Sequence, residues 1–338
     1  MVSAGLLDEV PDERRDVVSF ALERGVSDPV DRLVPVSGGA SGALVLRAVT
    51  ANGSYLVRVE TAVDFFRNPK RTYPSMLAAA EVGVAPKVHL ADADRGVAVM
   101  DFIETRPLED HPGGVDGLLE ALGRRIARLQ STPAFDPAMS DFGELDDRML
   151  DLVVGAGVFK SGALDEHRAL LAKIRDAYPF GRPPHVSAHN DVNPFNVLFD
   201  GQKLWLVDWE LSFGNDPYAD VALVANNWAD TPEREDILLS AWAGTAPDAS
   251  DRARLEVMRR LSQLFYGCLM SSTLAGARND EDTDALTPEE FRAAVTDGTI
   301  AAATADTLFA LAKMNLRAFV DGCGTSVFEE SLSRCAQL

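Results

Sequence analysis

The 338-residue chain carries 52 Asp and Glu against 32 Lys and Arg, a formal charge of −20, with 46% hydrophobic and 25% charged residues. That composition is globular, with ample apolar material for a core, and its acidity argues against nucleic acid or an anionic membrane as partner. Three scattered cysteines, Cys268, Cys323 and Cys335, are too few for a disulfide framework or zinc site; no run approaches the roughly 20 apolar residues of a membrane span, and Met1–Asp16 lacks an apolar signal-peptide core, so a cytoplasmic protein is expected.

Pro11–Arg24 predicts a helix, with Val17, Val18 and Leu22 at helical spacing and Gly25 to close it. Three β-rich runs follow at Asp31–Val36, Ala43–Thr50 and Tyr55–Glu60, and Asn52-Gly53 between the last two is a hairpin signal. Pro69–Glu81 predicts a second helix stopped by Gly83. Lys87–Ala91 and Val97–Phe102 read as two more strands. The order is strand, strand, strand, helix, strand, strand: a five-stranded antiparallel lobe with one crossing helix. Thr105-Arg106-Pro107 breaks the pattern. Helical periodicity then dominates over Val115–Gln130, Leu164–Tyr178, Pro217–Ala229, Glu233–Ala243, Arg252–Leu274 and Pro288–Val320, with a loop-and-hairpin region at 185–210. Residues 1–105 are therefore expected to form a small sheet lobe and residues 106–338 a larger helical lobe. The first holds 15 acids and 11 Lys/Arg, the second 37 and 21, so the acidity lies in the helical part.

The richest segment is His189-Asn190-Asp191-Val192-Asn193-Pro194-Phe195-Asn196, followed twelve residues later by Asp208 inside Leu204-Trp205-Leu206-Val207-Asp208-Trp209-Glu210. An Asp, an Asn five residues on, and an acid at the end of an apolar run are the parts phosphoryl transfer from ATP requires, in that order. Asp191 would orient the acceptor hydroxyl and take its proton. Asn196 offers a carbonyl oxygen and Asp208 a full charge, both hard ligands suited to Mg²⁺. His189 is expected to support the loop. Earlier in the chain, Ser37-Gly38-Gly39-Ala40-Ser41-Gly42 falls between the first two strands, where backbone N–H groups can approach a triphosphate. Arg58 on the third strand can grip phosphate oxygens with its fork.

These motifs resemble the aminoglycoside phosphotransferase and choline kinase superfamily, on H-x-D-x-x-x-x-N, Asp208-Trp209-Glu210 and Asp216-Pro217-Tyr218-Ala219-Asp220-Val221-Ala222. Val207–Glu210 and Gly214–Pro217 look closest to its bacterial choline kinase-like branch. The resemblance implies a protein-kinase-like α+β fold of two lobes and a kinase using ATP and Mg²⁺. It implies adenine contacts from the backbone at Met100, Asp101 and Ile103. It also implies bracing of the catalytic loop by Asp220, and an acid on the crossing helix to pair the strand cation. The chain departs there: Arg71-Thr72-Tyr73 occupies the expected place, so either another acid such as Glu60 or Asp64 pairs Arg58, or Arg58 needs no partner.

The acceptor is expected to be a small cation, choline- or ethanolamine-like, with Glu210, Asp220 and Trp228 as candidate contacts, since cations bind acids and ring faces. Aminoglycoside, sugar and thiamine-like acceptors stay open, as does a nucleotide-binding scaffold without activity. A monomer or homodimer is expected.

Overall fold

The computed structural model describes residues 4–36, 42–64, 66–136, 142–182, 184–276, 284–301 and 304–338. It is a mixed α/β structure, a five-stranded antiparallel sheet plus a mostly helical region, as expected. Its contacts divide the chain into two compact units, Met1–Asp136 with Val186–Phe213, and Pro137–His185 with Gly214–Leu338.

In the first unit, β1 (Val30–Pro35), β2 (Leu44–Thr50), β3 (Gly53–Val59), β4 (Val88–Asp92) and β5 (Val97–Asp101) form a sheet in the order β1-β2-β3-β5-β4. The β2–β3 register runs from Leu44 opposite Val59 to Thr50 opposite Gly53, so the Asn52-Gly53 turn sets it. Along β3, Val57 and Val59 are fully buried, and the alternate residue Arg58 faces the other way. Helix α1 (Arg15–Gly25) covers the apolar face, packing Val18, Ala21 and Leu22 among Leu46, Val57, Val59, Val97 and Val99. A Cβ on Gly25 would lie 2.7 Å from Val99 Cβ, so the helix can approach the sheet this closely only with glycine there.

Helix α2 (Pro69–Glu81) crosses from β3 to β4. Asn68 caps it by accepting from Lys70 N, and Pro69 suits its first turn. Helix α3 (Gly114–Gln130) buries Leu118, Leu119, Leu122, Ile126 and Leu129 along one stripe. It packs on the short strands β6 (Val186–Ala188) and β8 (Leu204–Leu206); β8 pairs with β7 (Val197–Phe199).

The second unit is helical. α4 (Phe142–Gly155), α5 (Asp165–Ala177), α6 (Tyr218–Trp228) and α7 (Pro232–Ala243) precede the long α8 (Ala249–Ser272). Then come α9 (Pro288–Thr296), α10 (Ala305–Cys323) and α11 (Ser326–Cys335). α8 is the hub: α4, α6, α10 and α11 all pack on it. The periodicity of 288–320 predicts one helix, and the structure has two. Gly298 at φ 80° and a fresh capping box at Thr304 interrupt it. α4 and α11 are additions to the expected elements. Both bury residues at helical spacing, Phe142, Leu145, Met149 and Val153 in one, Phe328, Leu332 and Cys335 in the other.

Candidate active site

Three short strands of the first unit carry the motif residues. Ser187 at β6 ties this strand to the end of α3, its Oγ donating to Pro133 O at 2.8 Å and accepting from Thr132 Oγ1 at 2.8 Å. In the β7–β8 hairpin Val197 faces Leu206, and just beyond it Val207 N–H donates to Asn196 O at 3.0 Å. The hairpin thus brings Asn196, before its first strand, beside Val207-Asp208, after its second. Leu206 N–H also donates to Val84 O at 3.0 Å, anchoring the hairpin on the turn after α2.

The two non-glycine residues with positive φ among the described residues are Asn190, at 60°, and Asp208, at 64°. L-residues pay about 1–2 kcal/mol for that region, least for Asn and Asp. Their neighbours hold them there. Asn190 is fully buried and its Nδ2 donates to Leu211 O at 3.0 Å and Phe213 O at 3.3 Å. His189 Nε2 donates to Val207 O at 3.0 Å, and the ring lies 4.5 Å from that of buried Trp209. Burial pushes His189 down to about 4, against the opposing effect of the Val207 carbonyl, so the ring is neutral at ordinary pH. It fastens the loop before Asp191 to the strand before Asp208.

Asp191 is half-buried and doubly held: Asn193 Nδ2 donates to its Oδ1 at 2.8 Å, and Asn196 Nδ2 to its Oδ2 at 2.6 Å and its carbonyl at 3.0 Å. Asn193 Oδ1 in turn accepts from Phe195 N at 2.9 Å, an Asx turn that Pro194 stiffens. With its amide nitrogen turned to Asp191, Asn196 keeps its amide oxygen as the group suited to a cation.

Arg58 projects from β3 into three acids. Nε donates to Glu60 Oε1 at 2.8 Å, Nη1 lies 3.6 Å from Asp208 Oδ1, and Nη2 pairs with Glu210. Burial works to lower the Arg58 value, but Asp208, Glu60 and Glu210 outweigh it and raise it, so the guanidinium stays charged. Glu210 is pushed up to about 7, by burial first and then by the charge of Asp208, with Arg58 pulling the other way. One cation among three carboxylates leaves one acid easily protonated near neutrality.

Glu60 thus takes the pairing expected of a helix acid; Asp64 turns instead to Arg67 at 2.8 Å. From α2, Arg71 Nη2 donates to Glu210 O at 2.9 Å and Phe66 O at 2.6 Å, and Nη1 to Ser212 O.

Ser37, Gly38, Gly39 and Ser41 lie outside the described residues. Gly42 adopts φ 71°, and its carbonyl accepts from Thr61 Oγ1 at 2.7 Å. Met100 is buried at the end of β5. Asp101 N–H donates to Lys87 O at 2.9 Å, and its carboxylate meets His89 Nε2 at 2.7 Å. Ile103 follows, half-buried. Asp220 and Trp228 belong to the second unit, on α6, the former fully buried and the latter half-buried.

The donor set fits magnesium. Asp208 Oδ1 is buried without a hydrogen-bond partner, and Asp208 and Asn196 supply hard oxygens. Among the described residues no cluster of three or more His, Cys, Asp and Glu has metal-binding geometry, so phosphate oxygens and water would have to complete the shell. Sequence reasoning passed over Asn190 and Asn193. Asn tolerance of positive φ and the Asn-Pro turn signal mark both.

This is the architecture of a phosphotransferase, and the comparisons agree. Residues 32–257 match the phosphotransferase enzyme family, and the chain belongs to that family. A choline/ethanolamine kinase family protein from Mesorhizobium loti superposes with a TM-score of 0.66 at 20% identity, over 95% of this chain and 99% of that one. A macrolide 2'-phosphotransferase from Brachybacterium faecium superposes at 0.56 with 15% identity, over 80% of this chain and 96% of that one. Among curated proteins, an uncharacterized protein of Metamycoplasma hominis is 24% identical over 96 residues, 28% of this chain; the match spans 19% of that relative's length. By family the chain is a phosphotransferase, and no helix among its described residues is long and apolar enough to cross a membrane.

Proposed function

We propose that this chain transfers the γ-phosphate of ATP, in a Mg²⁺-dependent reaction, to the hydroxyl of a small cationic amino alcohol, choline- or ethanolamine-like. Residues 1–105 act as the nucleotide lobe, and residues 106–338 carry the catalytic loop. The observation that carries the reading is the joining of Asp191, Asn196 and Asp208 by one hydrogen-bonded hairpin and loop, with Arg58 facing Asp208. Asp191 aims the acceptor hydroxyl and takes its proton. The freed oxygen bonds to the γ-phosphorus as the bond to the β-phosphate oxygen breaks, and ADP leaves. Asp208 and Asn196 would hold Mg²⁺, which would neutralise charge at the phosphates. Arg58 supplies a fixed cation for the phosphate oxygens, and Glu60 holds it in place.

The cationic acceptor rests on the excess of 37 acids over 21 Lys/Arg after residue 105, on the Asp208-Trp209-Glu210 and Asp216–Ala222 segments, and on the choline/ethanolamine kinase family of the Mesorhizobium loti neighbour. The macrolide enzyme among the neighbours supports a second reading, an antibiotic hydroxyl as acceptor. ADP release measured over a panel of choline, ethanolamine, their neutral isosteres, an aminoglycoside and a macrolide separates them. Release stimulated by the amines and not by the isosteres is expected. Stimulation by neutral alcohols alone overturns the cationic acceptor; none with any acceptor overturns the transferase reading for this panel.

A further inference from the structure

We infer that Arg71 is the positioning residue of the Asp208–Ser212 turn, fixing by its main chain the turn whose side chains would hold the metal; the inference rests on the reading of Asp208 as metal ligand. The crossing helix carries a cation where a carboxylate is expected, and it donates to backbone carbonyls: Phe66 O at 2.6 Å, Glu210 O at 2.9 Å and Ser212 O. A planar fork with fixed donor directions can satisfy carbonyls in two segments at once, which an ammonium cannot do with the same geometry. One segment leads from β3 into α2, and its Phe66 lies eight residues after Arg58. The other is the short 3₁₀ turn Trp209–Leu211, which starts from the left-handed Asp208.

The turn is therefore gripped twice. Arg58 on β3 holds the side chains of Asp208 and Glu210, and Arg71 on α2 holds the carbonyls of Glu210 and Ser212. Ser212 is fully buried, and its N–H and Oγ both donate to Trp209 O, at 3.1 and 2.7 Å, so the turn is closed locally before Arg71 reaches it. What the local bonds leave undetermined is where this closed turn stands relative to α2, and Arg71 determines it. A shift of α2 would move the turn and with it the Asp208 carboxylate. This couples the nucleotide sheet's helix to the metal position without a helix carboxylate. Groups that orient metal ligands typically alter metal affinity or activity about 10–100-fold when removed.

The experiment uses Arg71→Met and Arg71→Lys in the full chain, with two readouts. Backbone amide exchange over 207–213 without ligand needs no metal. Calorimetric affinity for ATP with and without Mg²⁺ needs no acceptor. Arg71→Met should speed exchange in that segment and weaken Mg²⁺-ATP binding by about tenfold or more, with metal-free ATP changed far less. Arg71→Lys should lie between, and stands in for Met if that variant does not fold. A fall in melting temperature with equal effects on both nucleotide forms, or unchanged exchange at 207–213, would overturn the inference. Equal wild-type affinity with and without Mg²⁺ would instead count against the metal role of Asp208, and the exchange readout would then decide Arg71 alone.

Discussion

Arg58 Nη1 stands 3.6 Å from Asp208 Oδ1, so the strand cation proposed for the phosphates and the carboxylate proposed for the metal already face one another. Both side chains are mostly covered, 16% and 32% exposed, with Glu60 and Glu210 on the same guanidinium. Removing Arg58 leaves three acids with one another for company. Breaking a buried ion pair by deleting one partner costs about 3–5 kcal/mol, and partial exposure here brings the expectation to the low end. Arg58→Met should therefore lower the melting temperature measurably and raise the Michaelis constant for ATP. Both unchanged would make Arg58 a bystander.

Asp208→Asn keeps the shape of the side chain and removes its charge. If Asp208 is a ligand to a hard cation, the loss falls on the Mg²⁺ complex of ATP and spares the free nucleotide. Arg58, relieved of one of its acids, is freer to grip phosphate, so metal-free ATP should bind as well or slightly better. Calorimetry with and without Mg²⁺ checks this; equal weakening of both forms would show that Asp208 does not bind metal.

The sheet was legible because local chemistry and global pairing agree there: Asn52-Gly53 dictates the β2–β3 register, and alternation along β3 puts Val57 and Val59 inside and Arg58 outside. The spacing from His189 to Asp208 named the loop for the same reason, as its parts sit within a few residues. What it hid was reciprocity over distance. Nothing in the sequence near Arg71 says that its fork will meet the carbonyls of Glu210 and Ser212, 139 and 141 residues on. The choice of Glu60 over Asp64 for Arg58 also needed coordinates: Asp64 is taken by Arg67 and by the N–H groups of Phe66 and Arg67 in its own turn. The division of 288–320 into two helices turned on Gly298 and Thr304, single residues inside an otherwise helical pattern.

Asp191 and Asn196 share a 2.6 Å hydrogen bond, so their substitutions should not add. Asp191→Ala is expected to lower turnover about a hundredfold or more, with nucleotide affinity nearly intact, because positioning and proton acceptance are lost together. Asn196→Ala should lower turnover and weaken the Mg²⁺ requirement's saturation. In the double variant the loss should fall short of the product of the two, since each single change already disturbs the other group. Steady-state rates for the four proteins decide it; strictly multiplicative losses would mean the two side chains act independently.

His189 and Glu210 should pull the pH dependence of stability in opposite directions. Glu210 rises from 4.5 to about 7 on folding, so the folded protein holds that proton more tightly. Its contribution is present below about 4.5 and is lost as pH climbs to about 7. His189 falls from 6.5 to about 4, so the unfolded chain binds the proton more tightly, and stability is gained as pH climbs through that window. Each difference, from 4.5 to about 7 and from 6.5 to about 4, corresponds to roughly 3 kcal/mol. The two slopes therefore nearly cancel between about pH 4.5 and 6.5, and single variants should expose them. Glu210→Gln should leave a protein that gains stability from pH 4.5 to 6.5; His189→Gln should leave one that loses it up to about pH 7. Denaturant midpoints across that range, with the Arg58 and Asp208 side chains intact, provide the measurement. If Glu210→Gln and wild type show the same slope, Glu210 is ionised throughout, and the crowding of three acids around Arg58 leaves no proton on it.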